Sequence, residues 1–200
     1  MSDIQLYMAP MEGLTVHTFR NNWNKYYGGA DKFFTPFIAA EGSRKMKSRE
    51  IRDILPENNQ GLYLVPQIIS NNADNFIRFA GLIHERGYEE VNLNLGCPSG
   101  TVVAKHKGSG FLARPKLLDE FLYKVYSELP DMKVSVKTRI GLDDPEEIYG
   151  LLDIYNKYPV YELIVHPRIR TDYYRHAPRM EYFTYVYENS KNPVCYNGNI

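Results

Sequence analysis

Short apolar runs alternate with longer amphipathic ones along the whole chain. Residues 4–8, 32–38 and 61–69 carry the β-rich composition of buried strands, as do Glu90–Leu95, 133–140 and 160–166. A seventh strand begins at 193–196. Between them, apolar positions recur at helical spacing over 15–27, 73–86, Pro115–Glu128, 145–157 and 179–188. Local signals support the boundaries. Gly87 follows the 73–86 helix in a C-cap role, Pro115 opens its helix at the first turn, and Asp144 stands where it can cap the helix at 145–157.

Strand-then-helix repetition at roughly 25–35 residues per unit predicts a parallel sheet with helices outside. No composition break or Gly/Ser-rich linker interrupts it, so residues 1–200 are expected to form one domain. A doubly wound dinucleotide fold wants GxGxxG after the first strand. Ala9-Pro10-Met11-Glu12-Gly13 stands there instead. Polar residues end nearly every strand: Glu12, Gln67, Asn94, Lys137, Arg139, His166 and Asn197. That distribution suits an α/β (β/α)8 TIM barrel, whose loops share one mouth. Such barrels take about 250 residues. Seven strands are counted here, so the barrel is expected to be incomplete at its C-terminal end, with open edges that favour self-association.

Composition changes this picture little. The hydrophobic fraction is 44% and the charged fraction 24%, with no apolar run of transmembrane length. The N-terminus lacks the basic and apolar regions of a signal peptide, so a cytoplasmic protein is expected. The two cysteines, Cys97 and Cys195, suggest neither a disulfide framework nor a thiol metal site. Cys195, in an apolar strand, reads as core. Zero net charge argues against a nucleic-acid partner. Three basic segments argue the other way: Arg44, Lys45, Lys47, Arg49 and Arg52; Lys105, Lys107 and Arg114; and Arg168, Arg170, Arg175 and Arg179. Each also reads as a solvated surface stretch.

The chemistry concentrates at Val91-Asn92-Leu93-Asn94-Leu95-Gly96-Cys97-Pro98-Ser99. A strand ends in Asn94 and presents Cys97 on a tight turn, and the Gly-containing loop at 105–110 is expected to move over a pocket. A thiol at a strand's carboxyl end is placed to give a proton to a ligand. With an ordinary pKa near 8.5 it is mostly protonated at neutral pH. A cysteine buried beneath a turn is the alternative.

The Asn-x-Gly-Cys-Pro-Ser string resembles the signature of the tRNA-dihydrouridine synthases, and further matches follow in order over essentially all 200 residues. Pro10, Met11 and Glu12 resemble the loop on which that family seats its flavin. Gln67 matches a Gln set against the flavin's pyrimidine edge, and Lys137 a Lys that contacts the isoalloxazine ring. Lys137 and Arg139 point to one side of their strand. His166 resembles the His of a His-Gly-Arg segment, and Asn197-Gly198-Asn199 an Asn-Gly-Asp/Glu segment. The resemblance implies FMN as cofactor, NADPH as reductant and tRNA as partner. Hydride passes from flavin N5 to uracil C6, with a proton from Cys97 to C5. Asn94, Arg139 and Arg168 are then candidates to hold the base or a phosphate. Tyr173 and Tyr174, near the mouth, could stack on a base.

Two departures stand out. Pro167 replaces the glycine and so lacks an amide donor, and Asn199 replaces an acid. The family's Gly-Arg phosphate segment and C-terminal helical domain match nothing up to Ile200. Substoichiometric flavin is therefore expected of this chain. Rival readings are a flavin barrel acting on a free pyrimidine, like the dihydroorotate dehydrogenases, and a non-catalytic barrel fragment.

Overall fold

The computed structural model describes residues 4–199. Nine short strands appear: β1 (Tyr7–Met8), β2 (Lys32–Phe34), β3 (Ile38–Ala39), β4 (Leu64–Val65), β5 (Gln67–Ile69), β6 (Glu90–Leu95), β7 (Lys133–Gly141), β8 (Leu163–Ile169) and β9 (Val194–Tyr196). The helices are α1 (His17–Tyr26), α2 (Ser48–Asp53), α3 (Ala73–His84), α4 (Gly100–Val103), α5 (Pro115–Glu128), α6 (Glu147–Tyr155) and α7 (Met180–Asn189).

Two of the seven expected strands are split, and prolines account for it. Pro36 interrupts the run at 32–38 and Pro66 the run at 61–69, because neither can donate to the ladder. The wall therefore divides into a sheet of order β1-β2-β4 and one of order β3-β5-β6-β7-β8-β9. Thr35 bridges the break: its amide donates to Val65 O and its Oγ1 accepts from the Gln67 amide at 3.0 Å. Every pairing is parallel and neighbours follow chain order, as in a barrel wall. The fold is thus a TIM-type α/β barrel that does not close. Among the described residues β1 pairs only with β2, and β9 only with β8.

Helices cover the outer face. Phe76 and Phe79 of α3, Phe121 and Leu122 of α5, and Leu151 and Leu152 of α6 join the outward side chains of β6–β8 in one buried cluster. Phe121 takes Phe76 and Phe111 edge-on, at centroid distances of 5.6 and 5.5 Å. Helix ends follow local chemistry. The Asn72 side chain accepts from the Asn75 amide and caps α3. Gly87 adopts φ +89° just beyond its end. The helix expected at 145–157 begins later, at Glu147. The Glu147 carboxylate folds back to accept from the amides of Leu142, Asp143 and Asp144, while Asp144 Oδ1 accepts from the Glu146 amide.

The interior is unusually polar for a barrel, whose centre is ordinarily filled by branched apolar side chains. Phe34, Val65 and Ile164 form a small apolar plug, flanked by Tyr7 and Cys195. Beside it runs a hydrogen-bonded chain. At its lower end Lys32 Nζ lies 3.3 Å from Glu90 and 3.2 Å from Glu162, ringed by Tyr7, Tyr63 and Tyr161. Ser135 Oγ donates to Glu90 at 2.8 Å, Asn92 Nδ2 donates to Ser135, and Gln67 Nε2 donates to Asn92 Oδ1. The chain ends at the C-terminal rim of the strands.

Candidate active site

β6 delivers Asn94 and the turn that follows it. The Asn94 carboxamide is used by the protein itself: Nδ2 donates to Gln67 Oε1 at 2.7 Å, and Oδ1 accepts from the amides of Gly96 and Cys97. Asn94 therefore shapes the cysteine turn and locks the Gln67 amide. The next segment packs behind that turn. Ser109 donates from both its amide and its hydroxyl to Cys97 O, at 3.1 and 2.9 Å. Gly108 sits at φ +54°, and a Cβ there would stand 2.8 Å from Cys97 O. Only glycine permits that approach. Residues 107–111 are buried, so this loop braces the cysteine from beneath instead of moving over a pocket. The cause is the pair of close glycines, Gly108 and Gly110, which let the chain collapse onto its own turn.

Cys97 faces a cavity of about 180 Å³ at the C-terminal ends of the strands. Burial pushes its thiol above the ordinary value, opposed by a hydrogen bond from the Ser99 backbone and by the charge of Arg139. Pro10, Met11 and Glu12 from the loop after β1 share the rim with Gln67, Lys137, Arg139 and His166. Polar strand ends scattered over 150 positions of sequence thus meet at one mouth.

The wall beside the cysteine turn, on β7 and β8, is cationic. Lys137 Nζ donates to Asn197 Oδ1 at 2.7 Å, which joins two expected cofactor residues. Burial, and then the charge of Arg139, lower its pKa to about 8. Arg139 is 2% exposed and donates to Gly96 O and Ile169 O. Arg168 is 1% exposed and donates to His176 O, His166 Nε2 and Asn199 Oδ1. No carboxylate of the described residues lies within ion-pair distance of these three cations. Burial and the three cations hold His166 neutral, its pKa lowered to about 3. Because Nε2 accepts from a guanidinium, the ring proton sits on Nδ1.

The two sequence departures find places here. Pro167 passes along β8 opposite a register shift in β7, between Arg139 and Gly141, so its missing donor coincides with a local irregularity. Asn199 accepts from Arg168 where an acid would otherwise stand. Gly198 follows Asn197 in the loop beyond β9 without reaching the cavity lining.

Other expectations need correction. Arg168 is a buried side chain of the barrel, not part of a solvated stretch, because β8 runs on to Ile169. Lys107 is likewise buried and bound to Glu41 at 2.7 Å. Cys195 is only half-buried. It lines a space of about 60 Å³ between β1 and β9, where no ladder covers it. Phe37, Gly96, Pro98 and Tyr174 also line the mouth. Phe37 gave no sequence signal, since it falls in a run that reads as strand. Tyr174 follows Tyr173, a non-glycine residue at φ +48°, and its ring lies 5.9 Å from that of His166.

Comparison with known proteins bears on the family and the fold. The family model described as Dihydrouridine synthase (Dus) matches residues 7–200. A tRNA-dihydrouridine(16) synthase of Pseudomonas putida is 29% identical, covering 98% of this chain and 62% of its own length. A probable tRNA-dihydrouridine synthase 2 of Bacillus subtilis is 30% identical, covering 82% of this chain and 50% of its own. The chain thus spans less than two thirds of the length of these relatives. Among solved structures, a variant of NCR from Zymomonas mobilis superposes with a TM-score of 0.61 at 12% identity, over 98% of this chain and 75% of the other. A putative deoxyribose-phosphate aldolase from Coccidioides immitis gives 0.57 at 9% identity, over 96% and 69%. These two likenesses concern the fold alone.

Proposed function

Because the chain belongs to the dihydrouridine synthase family, we propose that it carries the catalytic face of an enzyme that reduces uridine in tRNA to 5,6-dihydrouridine, with FMN as cofactor and NADPH as reductant. One observation carries the reading: Cys97 stands on a braced turn at a barrel mouth, beside a cationic stretch of wall free of carboxylate partners.

The residues fit a flavin on the chemistry of that wall. Three cations without carboxylate neutralisation suit a ring that gathers negative charge on reduction and carries a phosphate. Gln67, Lys137, His166, the loop at Pro10–Met11–Glu12 and the Asn197-Gly198-Asn199 segment would hold it. The chemistry that a flavin held by these residues would supply is hydride for C6 of the uracil ring.

The chain's own groups do the rest. The target base must leave its stack to reach the mouth. Arg139 and Arg168 offer charged donors to the base or a phosphate. His166 adds a neutral Nδ1–H donor, and Tyr174 an aromatic face at the rim. Cys97 Sγ holds a proton throughout the neutral range and gives it to C5. Asn94 keeps the sulfur in place through the Gly96 and Cys97 amides, acting as a positioning residue.

Turnover tests the reading. The protein supplied with FMN, NADPH and unmodified tRNA should form dihydrouridine, and free pyrimidines should be poor substrates. Turnover of free pyrimidine with none on tRNA would assign the barrel to the rival chemistry.

A further inference from the structure

A second cavity, larger than the mouth, adjoins it. It is a groove of about 460 Å³ between the loop after β1 and helix α2. Glu12 and Phe37 line both spaces, so the two are contiguous. The groove floor is apolar, made by Val16, Pro36, Phe37, Ile38 and Ile54. Its rim carries Arg49 and Arg52, three apart on α2 and therefore on one face. They belong to the first basic segment, which the proposed chemistry leaves without a task.

The acids around the groove are already committed. Asp53 accepts from Arg20 at 3.1 Å and from the His17 amide at 2.5 Å. Glu50 binds Arg44 through both oxygens, at 2.6 and 2.7 Å, and accepts from the Lys47 amide. Glu12 reaches Arg49 only at 3.8 Å, with both side chains more than half exposed. No carboxylate of the described residues pairs with Arg52. The rim therefore presents positive charge over an apolar floor of nucleoside size.

We propose that this groove seats the nucleotide next to the target uridine in the same RNA strand, its base on the apolar floor and its phosphate on Arg49 and Arg52. This rests on the RNA reading of the mouth. A strand whose uridine enters the mouth must lead its neighbour past Glu12 and Phe37. Apolar floor plus arginine rim is the combination that binds single strands without base-edge readout.

The test uses a fluorescent single-stranded RNA pentamer with a central uridine. Replacing Arg49→Gln and Arg52→Gln together should raise its Kd about tenfold. Each phosphate neutralised contributes about 0.7 to the salt slope for single strands, and the two arginines share one phosphate, so the slope should fall by about 0.7. An abasic residue beside the uridine should weaken binding to the unaltered protein about tenfold. Unchanged Kd and slope in the double variant, or equal binding of the abasic RNA, overturns the groove assignment while leaving the mouth reading intact. Weaker NADPH binding with RNA affinity unchanged overturns it in favour of the coenzyme. An unaltered protein that binds no pentamer at low salt overturns both readings.

Discussion

At the scale of single residues, the sharpest claim concerns two groups from neighbouring strands of the mouth. Burial raises the Cys97 thiol, so its proton is retained at neutral pH. Cys97→Ala should leave flavin reduction by NADPH intact and lower dihydrouridine formation by about 10²–10⁴-fold, the usual worth of a positioned acid. Undiminished product in tRNA would remove the acid from Cys97. Lys137 behaves in the opposite sense. Its pKa is lowered to about 8, so the ammonium is present below that pH and lost above it. FMN affinity of the protein should therefore decline as pH rises through about 8. Lys137→Arg should carry affinity to higher pH, and Lys137→Met should weaken FMN at all pH values or slow its reduction. His166, with a pKa near 3, contributes nothing to this limb. A titration of bound flavin that is flat from pH 7 to 10 refutes the Lys137 assignment. Of these residues, Cys97, Gln67, Lys137 and His166 were legible in the chain as polar or motif positions near predicted strand ends, although Gln67 opens β5 and Lys137 and His166 lie inside β7 and β8. Their hydrogen-bond partners were not. Asn94 reads as a substrate contact in sequence; in the structure it lines the mouth and also holds Gln67 and the turn that follows it, a bracing task the sequence did not convey.

At the scale of elements, one buried cluster ties α1 to α2 and so shapes the groove wall. Arg20 is fully buried and donates to Thr15 O, Asp53 Oδ2, Asp53 O and Asn59 Oδ1. Burial lowers its pKa, opposed by the Asp53 carboxylate. Removing one member of a buried pair leaves the other uncompensated, at about 3–5 kcal/mol. Arg20→Leu should lower the unfolding free energy by about that amount, read from the midpoint of a urea transition at unchanged slope. A loss below about 1 kcal/mol would show that Asp53 is solvated once released. Sequence pattern found the long elements well, since β6 and α5 fall where periodicity, a leading Pro115 and strand composition agree. It missed α2 and α4, which are too short to show a helical period, and it read the loop at 105–110 as a cover. The bracing role of that loop depends on Gly108 approaching Cys97 across 11 positions, a contact that no local pattern encodes.

At the scale of the whole molecule, the parallel barrel architecture follows from the βα repeat and from polar residues gathered at strand ends. Two prolines then cut the wall into two sheets without changing its order. What the repeat could not convey is the polar centre, where Lys32, Glu90 and Glu162 replace an apolar layer. The open seam has a consequence for behaviour in solution. Among the described residues β1 and β9 each pair on one side only, and the space between them is lined by Phe34, Ile164, Cys195 and Tyr196. Unpaired strand edges beside apolar surface recruit further strands. Ile4 and Leu6, flanking β1, are 85% and 48% exposed and extend that surface. The chain should therefore self-associate, with a light-scattering mass above that of a monomer. Tyr196→Lys places a charge at the β9 edge and should shift the population toward monomer without altering far-UV circular dichroism. A monodisperse monomer at all concentrations tested would show that these strand edges recruit no further chain.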